Sequence, residues 1–152
     1  MDHWFNVEHL DLERLLADWR WLCPQRMTLL ARNAFGDLFL LDESGRVFRL
    51  DVALGKLIGV ADSEAQFREL ADTQDKQQEW FAQADEEAAA TRGLKPTDNE
   101  CIGFAVPLVF AEGGGSDTPY VDLYEYLSFL GDMNRQISSL PDGTKVRLQV
   151  KR

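Results

Sequence analysis

Asp37, Asp42 and Asp51 lie close together in the chain, and carboxylates grouped in this way can offer oxygen ligands to a hard cation. A small hydrolase or metal enzyme could be built on such a set. Their local settings favour another reading. Asp42 and Asp51 begin turns, Asp37 starts a strand, and the spacing of an EF-hand loop is absent. His3 and His9, the only histidines, both sit near the N-terminus and read as exposed residues rather than as a base or a ligand. Cys23 and Cys101 show no metal-binding spacing. The pair allows a disulfide, but two buried or partly buried thiols in a cytosolic protein is the favoured reading. Glu112-Gly113-Gly114-Gly115-Ser116-Asp117 has the glycines of a phosphate-binding loop without the Lys-Ser/Thr that should follow, and reads as a flexible loop. No nucleophile–base set with a local signature can be assembled. The residue types therefore point to no catalytic group, no metal and no cofactor.

The elements around these residues are legible from patterning. Leu38-Phe39-Leu40-Leu41 is wholly apolar and of strand length, so it should be a central strand covered on both faces. Asp42-Glu43-Ser44-Gly45 reads as a type I turn closed by a left-handed glycine, returning through the more exposed strand Arg46–Leu50. Met27–Arg32 precedes this hairpin and Lys56–Val60 follows it, with Gly55 suited to a turn and Gly59 to a bulge. Four strands with short connections imply an antiparallel meander over about 27–61.

Upstream, Leu10, Leu12, Leu15, Leu16 and Trp19 recur at helical spacing. They predict a helix over about 10–22 that Asp11 caps and Pro24 ends. Trp4 and Phe5 are placed to close over it, Trp19 is expected in the core, and Trp21 under the turning chain. Downstream, Ser63-Glu64-Ala65-Gln66 is a capping box for a helix carrying Phe67 and Leu70. After a break between Asp72 and Gln78, a second helix is predicted from about Asp75 to Ala90, with Phe81, Ala84 and Ala88 as one face and Gly93 as its end. The helical region thus covers about 63–92.

The rest, about 101–150, reads as strand–helix–strand. Ile102–Phe110 is an interrupted strand around Pro107, and Tyr120–Leu123 is a short strand. Tyr124–Ile137 is a helix with Leu127, Leu130, Met133 and Ile137 inward, and its Gly131 implies tight packing. Leu140–Thr144 is a turn, and Lys145–Val150 a strictly alternating strand. The expectation is one α+β domain over 1–152, a mainly antiparallel sheet packed by helices.

Charge is the one marked concentration of chemistry. The 152-residue chain carries a net charge of −10 with 45% hydrophobic and 28% charged residues, a globular composition. From Asp62 to Ala90, nine acidic residues face only Arg68 and Lys76, so this stretch carries −7. Nucleic acid is a disfavoured partner for such a surface, because phosphate affinity rests on cationic side chains. A well-solvated face that maintains solubility is the bland reading, and an interface for a basic protein the sharper one. The candidate partner-binding residues are Asp72, Asp75, Glu79, Trp80, Asp85 and Glu86, with Trp80 expected to be an exposed aromatic of the kind that anchors interfaces. The Gly113–Asp117 loop is the next candidate. No apolar run approaches the roughly 20 residues that span a bilayer, and no signal peptide is visible at Met1-Asp2-His3-Trp4.

Three segments together resemble a known family. Phe35-Gly36-Asp37-Leu38-Phe39-Leu40, with Gly45-Arg46-Val47 and Gly55-Lys56, is similar to its N-terminal sheet. Cys101-Ile102-Gly103-Phe104-Ala105-Val106-Pro107-Leu108 is similar to its middle strand, with Ile102 where tyrosine is common. Tyr126–Asp132, Arg135-Gln136-Ile137 and Leu140–Val146 are similar to its C-terminal helix, turn and strand. The family is the C-terminal domain of type VI secretion DNase-immunity proteins, often found after a GAD-like domain and similar in layout to the SUKH immunity fold. The resemblance covers roughly Trp19 to Val150. It implies a cytoplasmic, non-enzymatic immunity protein that binds and neutralises a cognate secreted toxin, a basic nuclease by the charge argument. It brings no catalytic motif and no cofactor; that no membrane partner is expected follows instead from the lack of a bilayer-length apolar run. A non-catalytic interaction or regulatory module of the same fold is the alternative.

Overall fold

Alternation along two adjacent strands decides the architecture. The computed structural model describes residues 5–104, 117–138 and 140. Strands β1 (Met27–Arg32), β2 (Leu38–Asp42), β3 (Val47–Asp51) and β4 (Lys56–Ala61) form an antiparallel sheet in the order β1-β2-β3-β4, the expected meander. Leu38 and Leu40 of β2 join Leu50 of β3 in one apolar cluster, while Phe39 joins Val47 in a second. Successive side chains point to opposite faces of a strand, so β2 contributes to two cores at once. Leu38, Phe39 and Leu40 have no exposed surface; Leu41, nearer the turn, is half-buried and packs against the second cluster.

The local chemistry of the hairpin is as expected. Gly45 adopts φ 92°, and one Asp42 carboxylate oxygen accepts from the Ser44 and Arg46 amides and the Ser44 hydroxyl. In β4 the register shifts between the pairs Val47–Ala61 and Phe48–Gly59, so the bulge falls beside Gly59. A second shift lies between Leu29 and Ala31 of β1.

The first face is closed by α1 (Leu12–Leu15) with its following turns and by α5 (Leu123–Ile137). Asp11 caps α1 as expected, accepting from the Arg14 amide, but the predicted helix over 10–22 is a single helical turn. Beyond it the chain continues in tight turns, with Trp19 and Cys23 amides donating to Leu16 and Trp19 carbonyls respectively. The cause is tertiary: the buried Trp19 indole donates to the Leu127 carbonyl at 2.9 Å, and the half-buried Trp21 ring stacks on it at 6.0 Å. Phe5 lies not over α1 but over Arg32 of β1, 3.9 Å from ring centre to guanidinium carbon.

Gly131 of α5 explains how closely these parts meet. A Cβ there would stand 2.6 Å from the Asp18 carbonyl oxygen. Alanine would ordinarily gain about 1 kcal/mol in a helix interior, whereas overpacking costs about 1–3 kcal/mol. Gly131→Ala is therefore expected to destabilise the protein by about 1 kcal/mol in urea denaturation. A gain in stability would show that the turn at Asp18 gives way freely.

The second face is covered by α2 (Glu64–Ala71) and α3 (Gln74–Phe81), with α4 (Gln83–Thr91) following. The capping box at α2 forms in shifted guise: the Ser63 hydroxyl accepts from the Gln66 amide, and the Gln66 side chain accepts from Asp62. The break before the second helix is narrower than expected, confined to Asp72 and Thr73. The single helix predicted from Asp75 to Ala90 is two helices, parted at Ala82, whose φ of 48° and ψ of 48° are left-handed. Gly93, at φ 84°, ends α4 as predicted.

A separate two-stranded antiparallel sheet, β5 (Glu100–Phe104) with β6 (Asp117–Asp122), leads into α5. It touches the main sheet's connection through the Ile102 amide, which donates to the Ala34 carbonyl. The protein is thus α+β, a four-stranded antiparallel sheet and a two-stranded one packed by helices. The strand expected beyond Pro107, the glycine loop at 113–116, the turn at 141–144 and the final strand over 145–150 lie outside the described residues, as do His3 and Trp4.

Candidate functional site

The acidic helices present most of their carboxylates to solvent. Asp72, Asp75, Glu79 and Asp85 are exposed and Glu86 is half-buried. The two cations of the region are used within their own helices: Arg68 pairs with Glu64 four residues before it, and Lys76 with Glu79 three residues after it. Among the described residues, Glu69, Asp72, Asp75, Asp85 and Glu87 make no ion pair. The outer side of α2–α4 therefore keeps an uncompensated negative charge, available to a cation that arrives from outside.

Trp80 is a correction. It was expected on the surface beside Phe81, but only 3% of it is exposed, and Phe81 is buried with it. α3 stops at Ala82, and both neighbouring rings of its last turn join the apolar cluster on the second face of the sheet. Trp80 stacks on Phe67 at 5.3 Å, and Phe39 meets Trp80 at 5.9 Å and Phe81 at 5.0 Å. Lys76 covers the remaining side of the indole. Of the six sequence candidates, Trp80 leaves the surface set and the five carboxylates stay.

Beneath this layer lies a polar hub. Asp37, almost fully buried, accepts through one oxygen from the Val52 amide at 3.1 Å. Its other oxygen accepts from Arg49 at 2.7 and 3.1 Å and from Asn33 at 3.2 Å. Burial pushes the Asp37 carboxyl up from the usual carboxylate range, while the Arg49 guanidinium acts to lower it. Arg49 and Asn33 also donate to the Glu79 and Trp80 carbonyls. The Glu79 and Trp80 carbonyls, left without intrahelical donors where α3 ends, are thus held by side chains from β3 and the β1–β2 connection.

The three aspartates first considered as cation ligands are kept to separate tasks. Both oxygens of Asp37 already accept hydrogen bonds, and Asp51 accepts from the Leu54 amide. Asp42 sits at the far end of β2, about 17 Å from Asp37 at ~3.4 Å per residue. Ser44 holds its carboxyl below the usual range. Among the described residues no three His, Cys, Asp or Glu side chains gather as a metal site would need. Cys23 and Cys101 are free and buried, and burial pushes their thiols up to about 11 and about 12.

One cleft opens between β1 and the acidic helices. Arg32 and Asn33 line it from the sheet; Gln77, Phe81, Gln83 and Glu86 line it from α3 and α4, and Phe5 closes over it. Its volume is about 20 Å³. Arg32 is 1% exposed, and its Nη2 donates to the Thr97 and Glu100 carbonyls. Its Nε and Nη1 have no partner among the described residues, and burial lowers the guanidinium to about 10. The sequence carried a faint signal of this, a charged residue ending a largely apolar strand, but nothing local said the side chain would turn inward.

Compared with known families and curated proteins, the chain matches no family model and no curated protein.

Proposed function

We propose that this protein acts by binding another protein, and that it is an immunity protein which captures and neutralises a basic, secreted, type VI-type antibacterial toxin. The observation that carries this reading is the row of unpaired exposed carboxylates on α2–α4. Complementary charge steers encounter and disfavours wrong partners, and exposed carboxylates need little desolvation before a cation reaches them. A basic nuclease, whose own surface is built to attract phosphate, is the partner such a face fits best. The resemblance of the chain to type VI DNase-immunity domains points the same way. On this reading the protein needs no catalytic group of its own.

The test is co-expression with the toxin-like product of the neighbouring open reading frame, followed by binding kinetics at two salt concentrations. Wild type should rescue growth and form a stable complex. Reversing charge at Asp72 and Asp85 should slow association about tenfold at low salt and flatten its salt dependence, with little change in dissociation. A doubly reversed protein that folds and associates as fast as wild type would place the interface elsewhere. Binding without rescue would favour a regulatory module over immunity.

A further inference from the structure

We infer that the α3–α4 junction is a two-state hinge: α4 is held bent away from α3, and the two straighten into one helix over residues 74–91 when a basic partner docks on the carboxylates of α4. The choice of partner rests on the reading that the acidic face meets a basic protein. The junction holds two competing sets of hydrogen bonds. In an unbroken helix each amide donates to the carbonyl four residues before it, so Glu79 would receive the Gln83 amide and Trp80 the Ala84 amide. Here Arg49 donates to the Glu79 carbonyl at 3.0 Å and Asn33 to the Trp80 carbonyl at 3.1 Å. The Ala84 amide turns instead to the Gln78 side-chain oxygen at 2.9 Å. Side chains from the sheet thus stand in for the helix's own donors.

The bent form carries strain and little anchorage. Among the described residues, Ala82 is the one non-glycine with positive φ, a conformation that is costly for alanine and free for glycine. Residues 74–91 contain neither glycine nor proline, so nothing within them forbids a continuous helix. In α4 only Ala89 is buried. Just past its end, the Tyr120 hydroxyl donates to the Gly93 carbonyl at 2.9 Å and accepts from the Lys95 amide. The hinge is therefore latched at one end by Asn33 and Arg49 and at the other by Tyr120. Asp85 sets the direction of the response. It is exposed in the first turn of α4, where a helix N-terminus favours a carboxylate and repels a cation. Straightening abolishes that terminus. A cation on Asp85 binds the straight form more tightly, and by that difference it shifts the population.

The experiment is double electron–electron resonance on the full chain, with spin labels at Gln74→Cys and Ala88→Cys. Both positions are exposed, while Cys23 and Cys101 are buried and take no label. The labelled positions lie about 21 Å apart along a straight helix and closer in the bent form. The labelled protein should show the short distance. Asn33→Ser keeps an oxygen for the Phe35 and Asp37 amides and loses the donor to Trp80; Tyr120→Phe opens the far latch. Together they should raise the long distance about tenfold, through the hydrogen bonds lost. Adding Ala82→Gly should restore the short distance, because glycine suits the left-handed hinge and disfavours a helix interior. Oligolysine at low salt should raise the long distance in the Asn33→Ser, Tyr120→Phe protein a further two- to fivefold or so, and Asp85→Asn should abolish that response. An unchanged short distance with both latches open overturns the hinge. So does a broad spread with no maximum near the long distance, or a failure of Ala82→Gly to reverse the change. A hinge that straightens but ignores oligolysine overturns the basic partner as its trigger. None of these measurements uses the toxin, so they stand or fall apart from the immunity reading.

Discussion

Phe39→Ala is expected to cost about 3–5 kcal/mol in chemical denaturation, the range for removing a fully buried ring. The ring has no exposed surface and stands 5.0–5.9 Å from the centres of Phe67, Trp80 and Phe81. Its loss leaves three aromatic side chains around a void on the second face, where the short helices α2 and α3 have little means to collapse inward. The indole of Trp80 should gain water and its fluorescence should move to the red. A loss below about 1 kcal/mol would mean that the helices close the gap, and that the second core is far softer than its packing implies.

Asp37→Ala should cost about 3 kcal/mol, the lower end for breaking a buried pair from one side. The lower end applies because 21% of the Arg49 side chain remains exposed and can recover some hydration. The mutation also strips the acceptor from the Val52 amide and from Asn33. Its reach is longer than its own position. Arg49 and Asn33 hold the Glu79 and Trp80 carbonyls, so amides in α3 should exchange with deuterium faster while those in α5 change little. Uniform acceleration throughout the protein would show that Asp37 supports the whole fold and not this one junction.

The sheet was legible in the sequence because each of its signals is local. An apolar run, an Asp-Glu-Ser-Gly turn and strands separated by a few residues leave almost no freedom in how β1–β4 pair. The helices were less legible where the decisive force is distant. Leu10 to Trp19 has helical spacing, but a hydrogen bond to a carbonyl 108 residues away sets the course of Trp19. Ala82 turns left-handed with no glycine or proline to announce it. The reason lies in what surrounds it: the Gln78 side chain accepts the Ala84 amide in place of a cap, and Asn33 and Arg49 secure the helix that ends there. The misplacement of Trp80 follows from that one missed break. As for the candidate site, charge was readable because it is additive along a chain, whereas the Arg32 cleft requires knowing which side chains of β1 and α4 meet.

The two faces of the sheet differ in how far apart their parts lie in the chain, and this matters as the protein is made. Residues emerge from synthesis in order, at about 5–20 per second. The helices that cover the Phe39 face follow β4 directly, so that side can close soon after its strands appear. The Leu38 and Leu40 face needs α5, and the Trp19 indole waits for a carbonyl 108 residues later. For several seconds the nascent chain must carry a sheet whose leucine-rich side has only α1 and its following turns to cover it, which is the state in which a newborn chain most needs a chaperone's shelter.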